Sequence, residues 1–205
     1  MHRSIATTVI TTMLIAPSLV SASTWEIDPA HTDAEFGVRH LMVSTVHGHL
    51  GKVSGTINLD EQAIGKSSVE ASIDATAIDT REPKRDQHLK SPDFLDVAKF
   101  PTITFKSKRV AKVADDHYTV TGDLTLHGVT REIVLDVEGS PKPFTDPMGH
   151  NKMGGSARTK INRQDFGIAW NKALDNGGVV VGNDVDVVID LELMQTTPGA
   201  GGAAR

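Results

Sequence analysis

The strongest constraint on this chain is an alternation with a period of two. In "TVTGDLTLHGVTREIVLDVEG", Thr119 to Gly139, Val120, Leu124 and Leu126 point one way, and Thr119, Thr121, Asp123 and Thr125 point the other. The pattern breaks at His127-Gly128, then resumes with Ile133, Leu135 and Val137 set against Glu132, Asp136 and Glu138. Successive strand side chains face opposite sides of a sheet, so this is a hairpin with one wet and one dry face. The same period dominates residues 24 to 195. "AEFGVRHL" opposes Phe36, Val38 and His40 to Glu35, Gly37 and Arg39. "SSVEASIDATAID" opposes Val69, Ala71, Ile73, Ala75 and Ala77 to Glu70, Ser72, Asp74 and Thr76. "TITFKSKRVAKV" aims Ile103 and Phe105 inward, and "NDVDVVIDLELM" opposes Val185, Val187, Ile189, Leu191 and Leu193 to Asp184, Asp186, Asp190 and Glu192. "GGSARTKINR" reads as a polar strand, and Gly48, Gly51 and Gly55 predict bends or bulges in "STVHGHLGKVSGTINLD". The total is about eight strands joined by short turns. Long alternating strands must hide their edges, and closure into a barrel does so completely; a sandwich is the alternative.

Two stretches interrupt the alternation. In "DTREPKRDQHLKSPDFLD", Asp79 to Asp96, residues 82 to 89 suit two helical turns after Thr80. Ser91 then suits the N-cap of a further short turn begun by Pro92, and Phe94, Leu95 and Phe100 offer an apolar lid. Arg85 and Asp86 are adjacent, so they cannot face each other on one helix and are expected to reach different strands. The second interruption, "RQDFGIAWNKALDNGG", ends in a turn signal.

The ends of the chain read differently. Residues 1–22 carry Arg3, an apolar stretch from Ile5 to Val20 and small residues at Val20 and Ala22. That order describes a secretory signal peptide cut after Ala22, too short and Thr-rich for a membrane span. Residues 196–205, "TTPGAGGAAR", are small, Gly-rich and aperiodic, which reads as a disordered tail. Residues 23–195 are left as one domain. With no cysteine, it must hold together by burial and backbone pairing alone. Losing Arg3 with the leader takes the net charge from −5 to −6, which gives no electrostatic reason to bind nucleic acid.

An eight-stranded barrel can fill its lumen with side chains or hold one ligand. Inward alanines at positions 71, 75 and 77 favour a hollow lumen, and an apolar one would suit a hydrocarbon chain better than a sugar or nucleotide.

Three phrases carry a resemblance as a set: "WEIDPAHTDAEFGVRHLMVSTVHGHL", "IDTREPKRDQHLKSPDFLDVAKFPTITFKS" and "GDLTLHGVTREIVLDV". In order and spacing they resemble the YceI-like family over about Thr24 to Gln195. The resemblance implies an all-β fold, an eight-stranded antiparallel lipocalin-like β-barrel with one or two short helices packed near one end. It also implies a periplasmic protein, often a dimer, that binds polyisoprenoid or other long amphiphilic chains inside the barrel.

The expected function is therefore an exported carrier for an isoprenoid-type lipid, a polyprenyl chain or a quinone, with no chemistry, no cofactor beyond that lipid and at most transient membrane contact. Lining candidates are Phe36, Val38, His40, Ile73, Phe105, Leu124, Leu126, Ile133, Leu135 and Ile189, with Phe94 and Phe100 gating one end. Arg81, Arg85 and His88 are head-group candidates, since an Arg fork suits phosphates and carboxylates alike, although ion pairs that pin the helix are the stronger reading. Trp25 and Trp170 suit barrel ends or the core, and His127 suits local hydrogen bonding in its turn. Two alternatives come from other classes. One is a metal-binding or redox-accessory protein centred on His31, His40, His47 and His49, although a metal needs three or four converging ligands. The other is a solid barrel that binds a partner protein. "GKSS" at 65 to 68 lacks the earlier glycine of a phosphate loop, where Asp60 stands, and no GxSxG elbow occurs.

Overall fold

The structure is a computed structural model that describes residues 22–139, 142–175 and 177–196. The expected signal peptide and disordered tail lie, but for Ala22 and Thr196, outside the described residues. The strands are β1 (Ser23–Ile27), β2 (Asp33–His40), β3 (Ser44–His49), β4 (Val53–Leu59), β5 (Ser68–Asp74), β6 (Thr102–Ala114), β7 (His117–Leu126), β8 (Val129–Glu138), β9 (Phe144–Thr145), β10 (Asn151–Asn162) and β11 (Val181–Gln195). One α-helix, α1 (Pro83–Leu89), follows β5.

Pairing runs β1–β4–β5–β6–β7–β8–β10–β11 and returns to β1, all antiparallel, so eight strands close a barrel. The expected architecture is the one observed. The extra strands are β2 and β3, set off by kinks from β1 and β4, and the two-residue β9, which pairs with β10. β1 and β2 both run antiparallel to β11, β1 beside its C-terminal end and β2 beside its N-terminal part, with a register shift between Val181 and Val185. The β7–β8 hairpin closes through His127 and Gly128, both at positive φ (52° and 73°), the two-residue turn whose twist matches the strands.

The bend between β3 and β4 turns on Gly51, at φ +126°, where a Cβ would lie 2.0 Å from the Asp74 carbonyl oxygen. Only glycine admits both that backbone angle and that approach. β5 stops at Asp74, whose carboxylate accepts from the Thr76 N–H and caps a short 3-10 turn, Ala75–Ala77. The run of inward alanines therefore ends early, with Ala75 buried beneath the turn and Ala77 exposed. α1 begins at Pro83 with Glu82 as N-cap, its side chain accepting from the Lys84 N–H. The further short turn expected after Ser91 is present, with the Ser91 hydroxyl oxygen accepting from the Asp93 N–H at 3.3 Å.

The main core cluster runs through the barrel. Trp25, Leu59, Met153 and Leu193 pack toward one end, where Trp25 donates its indole N–H to Ser23 Oγ at 2.8 Å, and Phe94, Phe166 and Ile168 belong to the same cluster toward the other. Where β11 exchanges β1 for β2, Lys152 lies with its side chain 9% exposed and its Nζ donates to Asp28 Oδ2 at 2.8 Å and Glu192 Oε1 at 2.9 Å. Asp28 also accepts from the Ala30 N–H and pairs with His31, while its own N–H donates to the Glu192 carbonyl. The hydrogen bond from Lys152, then that from His31, holds the Asp28 carboxyl far below the usual carboxylate range, and the hydrogen bonds to Asp28, then to Glu192, raise Lys152.

Three outcomes follow from this fold. Asp28 adds stability that is complete above its unfolded value of about 4 and is lost as pH falls further toward its folded value. Asp28→Asn is expected to lower stability at pH 7, with the gap to the native chain narrowing as urea melts are moved down to pH 3. Lys152→Met leaves two carboxylates facing each other and is expected to cost about 2–3 kcal/mol, below the value for a fully buried pair. Gly51→Ala is expected to cost at least about 1–3 kcal/mol from the backbone angle alone, read by the same melts.

Candidate ligand-binding site

A ring of eight strands is wide enough that its inward side chains need not meet across the axis. Here they leave a cavity of about 560 Å³ that runs from the packed end toward α1. β2 contributes Phe36, Val38 and His40, and β5 contributes Val69, Ala71 and Ile73. Ile103 and Phe105 of β6 and Leu124 and Leu126 of β7 continue the wall. Ile133 and Leu135 of β8, Ala157 of β10 and Ile189 of β11 complete it. Among the inward alanines expected in β5, only Ala71 lines the space. The room comes from the circumference of the ring more than from small residues.

The mouth is built by α1, the turns after it and the segment between β10 and β11. Backbone hydrogen bonds in both directions between His49 and Asp79 pin the approach to α1 against β3. Thr80, 4% exposed, then locks the helix. Its N–H and hydroxyl both donate to Asp86 Oδ1, at 2.8 and 2.5 Å, while Arg85 donates to the Thr80 hydroxyl and carbonyl, both at 2.7 Å. Arg85 and Asp86 thus converge on one threonine rather than reaching different strands. Each satisfies a different face of the same residue, which adjacent positions on a helix can do. Gly48 sits under this lock, where a Cβ would fall 2.6 Å from Thr80 Cγ2.

Three rings frame the opening. The His88 centroid lies 4.9 Å from both Phe94 and Trp170, edge-on to each, and Phe94 and Trp170 are 5.2 Å apart. His88 is fixed by Asp93, with Nε2 to Oδ2 at 2.9 Å. Trp170 therefore stands at the mouth, and Trp25 packs in the core at the far end. Arg163, 4% exposed, lies beneath the rim. Its guanidinium donates to the carbonyls of Gly182 (2.9 Å), Ile168 (2.7 Å) and Val181 (3.4 Å) and to Asn183 Oδ1 (3.4 Å). No carboxylate faces it among these partners, and burial alone pushes its guanidinium down from the usual arginine range.

Two expected site residues lie elsewhere. Phe100 is not a gate. Its ring packs on His127, centroids 5.1 Å apart, and fills the space over Gly128, where a Cβ would meet it at 2.5 Å. Arg81 is exposed at φ +63°, with its N–H bonded to Asp79 Oδ1, and does not line the cavity. His127 reaches well beyond its turn, with Nδ1 3.1 Å from the Phe166 carbonyl. Sequence reading also missed Lys84, Glu82, Ile168 and Arg163 as lining residues. The α1 period placed Lys84 beside Arg85, but Arg163 carried no local signal.

The four histidines of the metal alternative do not converge. His31 pairs with Asp28, His49 with Asp33 at 2.9 Å, His40 lines the cavity and His47 is exposed. Among the described residues, no close group of potential ligand atoms contains two histidines. The cluster of Asp28, His31 and Glu192 is already bridged by Lys152.

Comparison with known proteins agrees with this geometry. A UPF0312 protein of Staphylococcus aureus is 38% identical over 161 residues, covering 77% of this chain and 90% of that protein. One from Vibrio cholerae is 36% identical over 156 residues, covering 74% of this chain and 81% of that protein. Among solved structures, BcnA of Burkholderia cenocepacia superposes with a TM-score of 0.70 at 19% identity, covering 81% of this chain and 98% of BcnA. The YCEI protein of Campylobacter jejuni gives 0.64 at 28% identity, covering 78% and 90%. A polyisoprenoid binding domain from Saccharophagus degradans gives 0.61 at 14% identity, covering 84% and 98%. The YceI-like domain model matches residues 25–193. With a closed barrel, an apolar lumen and that match over nearly all its described length, the chain belongs to the YceI-like family.

Proposed function

We propose that this protein is an exported, periplasmic carrier that holds a long-chain isoprenoid-type lipid, a polyprenyl chain or a quinone, in its lumen without making or breaking a bond. The observation that carries the reading is the cavity. At roughly 24 cal/mol per Å³, about 560 Å³ of apolar-walled space left without apolar contacts would cost on the order of 10 kcal/mol, comparable to the net stability of a whole domain. A flexible hydrocarbon chain supplies those contacts, and its transfer from water contributes roughly 0.8 kcal/mol per methylene. Apolar walls with polar groups confined to one end suit an amphiphile entering tail first. The Saccharophagus degradans domain named for polyisoprenoid binding shares the barrel, which supports the fold's capacity for such a guest. Among the described residues, no helix is long and apolar enough to cross a membrane. Loading would need only transient membrane contact, for which the exposed rim residues Leu41, Met42 and Val43 offer apolar surface.

Organic extraction of the purified protein followed by mass spectrometry is expected to release a long-chain lipid, and the stripped protein is expected to take up a long-chain quinone. No lipid and no uptake together would refute the reading. Ala71→Phe with Ala157→Phe fills the lumen from facing walls. Uptake is expected to fall at least tenfold, with a stability change of no more than about 1–3 kcal/mol. Unchanged uptake would place the guest elsewhere.

A further inference from the structure

The charges around the cavity run against those of the whole chain. The sequence holds 26 acidic and 21 basic residues, yet the lining includes Arg39, Lys84, Arg85 and Arg163 against one acid, Glu82. That acid is engaged as the N-cap of α1.

None of the four cations makes an ion pair among the described residues. Arg39 donates to Thr45 Oγ1 and the Met42 carbonyl, and Arg85 donates to Thr80. Arg163 donates to carbonyls and one amide. Elsewhere on the barrel, cations commonly find acids: Lys106 with Glu70, Lys108 with Asp123 and Glu132, Lys152 with Asp28 and Glu192, and Lys160 with Asp186. Arg163 is the sharpest case, because it is almost wholly buried and, among the described residues, its partners are neutral oxygens. Burying a cation without a counter-charge is costly, and an anion delivered into the mouth would offset that cost.

The cations share the polar end. Arg163 bonds the Ile168 carbonyl, Ile168 and Trp170 line the cavity together, and Trp170 meets His88 on the helix that carries Lys84 and Arg85. Resting on the reading of the lumen as a lipid site, we propose that the guest is an acidic amphiphile whose phosphate or carboxylate head seats among Arg163, Lys84 and Arg85. This is narrower than a lumen for any isoprenoid-type chain, since a quinone or a free polyprenol brings no charge. Guanidinium and ammonium donors bind either anion, with Arg able to engage two oxygens at once.

The test uses matched pairs on the stripped full-length protein: geranylgeranyl phosphate against geranylgeraniol, and oleate against oleyl alcohol, each titrated by displacement of a fluorescent lipid. Each anion is expected to bind at least tenfold more tightly than its alcohol, with the preference shrinking as salt rises. A preference for only one anion would still support the charged-head site and would identify its chemistry. Lys84→Gln removes an exposed ammonium with no side-chain partner among the described residues, and it is expected to cut the preference several-fold while leaving the melting temperature unchanged. Arg163→Met is expected to remove most of the preference. Should that variant fail to fold, Lys84→Gln with Arg85→Lys carries the same test. Equal binding of anion and alcohol would overturn this inference and leave the lumen reading standing. Failure of every chain to bind would overturn both.

Discussion

Backbone pairing along Val181–Gln195 closes the sheet on itself, and the rest of the molecule depends on that closure. β11 is bonded to β10 from Asp184 to Met194 on one side, and to β2 and then β1 on the other. A closed ring leaves no long edge to aggregate, which matters in a chain with no cysteine to staple it. The ring also sets the circumference, and with it the space inside. A sheet of the same strands folded as a sandwich would bring its apolar faces together and leave little between them.

Closure has a difficult point, where β11 passes from β2 to β1 and the chain between those strands must cross it. Lys152, Asp28 and Glu192 solve it electrostatically, while Thr32 exchanges hydrogen bonds with both the N–H and the carbonyl of Glu192. A charged cluster is tolerable there because each charge has a partner at hydrogen-bond distance. The opposite end is built on another logic. Its arginines and lysine are satisfied by neutral oxygens or left to solvent, so it can accept a charged group from outside. One end of the barrel is closed by ion pairs over a packed core, and the other is open, aromatic-rimmed and cationic.

The mouth depends on Thr80. One buried residue receives Arg85, gives both its protons to Asp86 and packs against Gly48, so the helix cannot shift without breaking several bonds. The rings of His88, Phe94 and Trp170 are held by that anchoring. Access to the lumen is therefore a property of how α1 is tied down as much as of the wall residues.

The strands, their inward faces and most of the lumen wall were legible in the sequence, because period-two alternation is a local property that each strand carries alone. Phe36, Ile73, Leu124, Leu135 and Ile189 could be placed on the dry face without knowing which strand lay beside which. Gly51 and the His127-Gly128 turn were legible for a related reason, since their backbone angles are local. Where a side chain goes after it leaves an irregular segment is a non-local matter, and the tertiary structure alone decided it. Phe100 packs over the turn at Gly128 instead of gating the mouth, Arg85 and Asp86 meet at one threonine, and Arg163 turns inward onto carbonyls of β11. The hollow interior belongs to the same class. Ala77 left β5 and pointed to solvent, and the space came from the number of strands in the ring, which no single segment encodes.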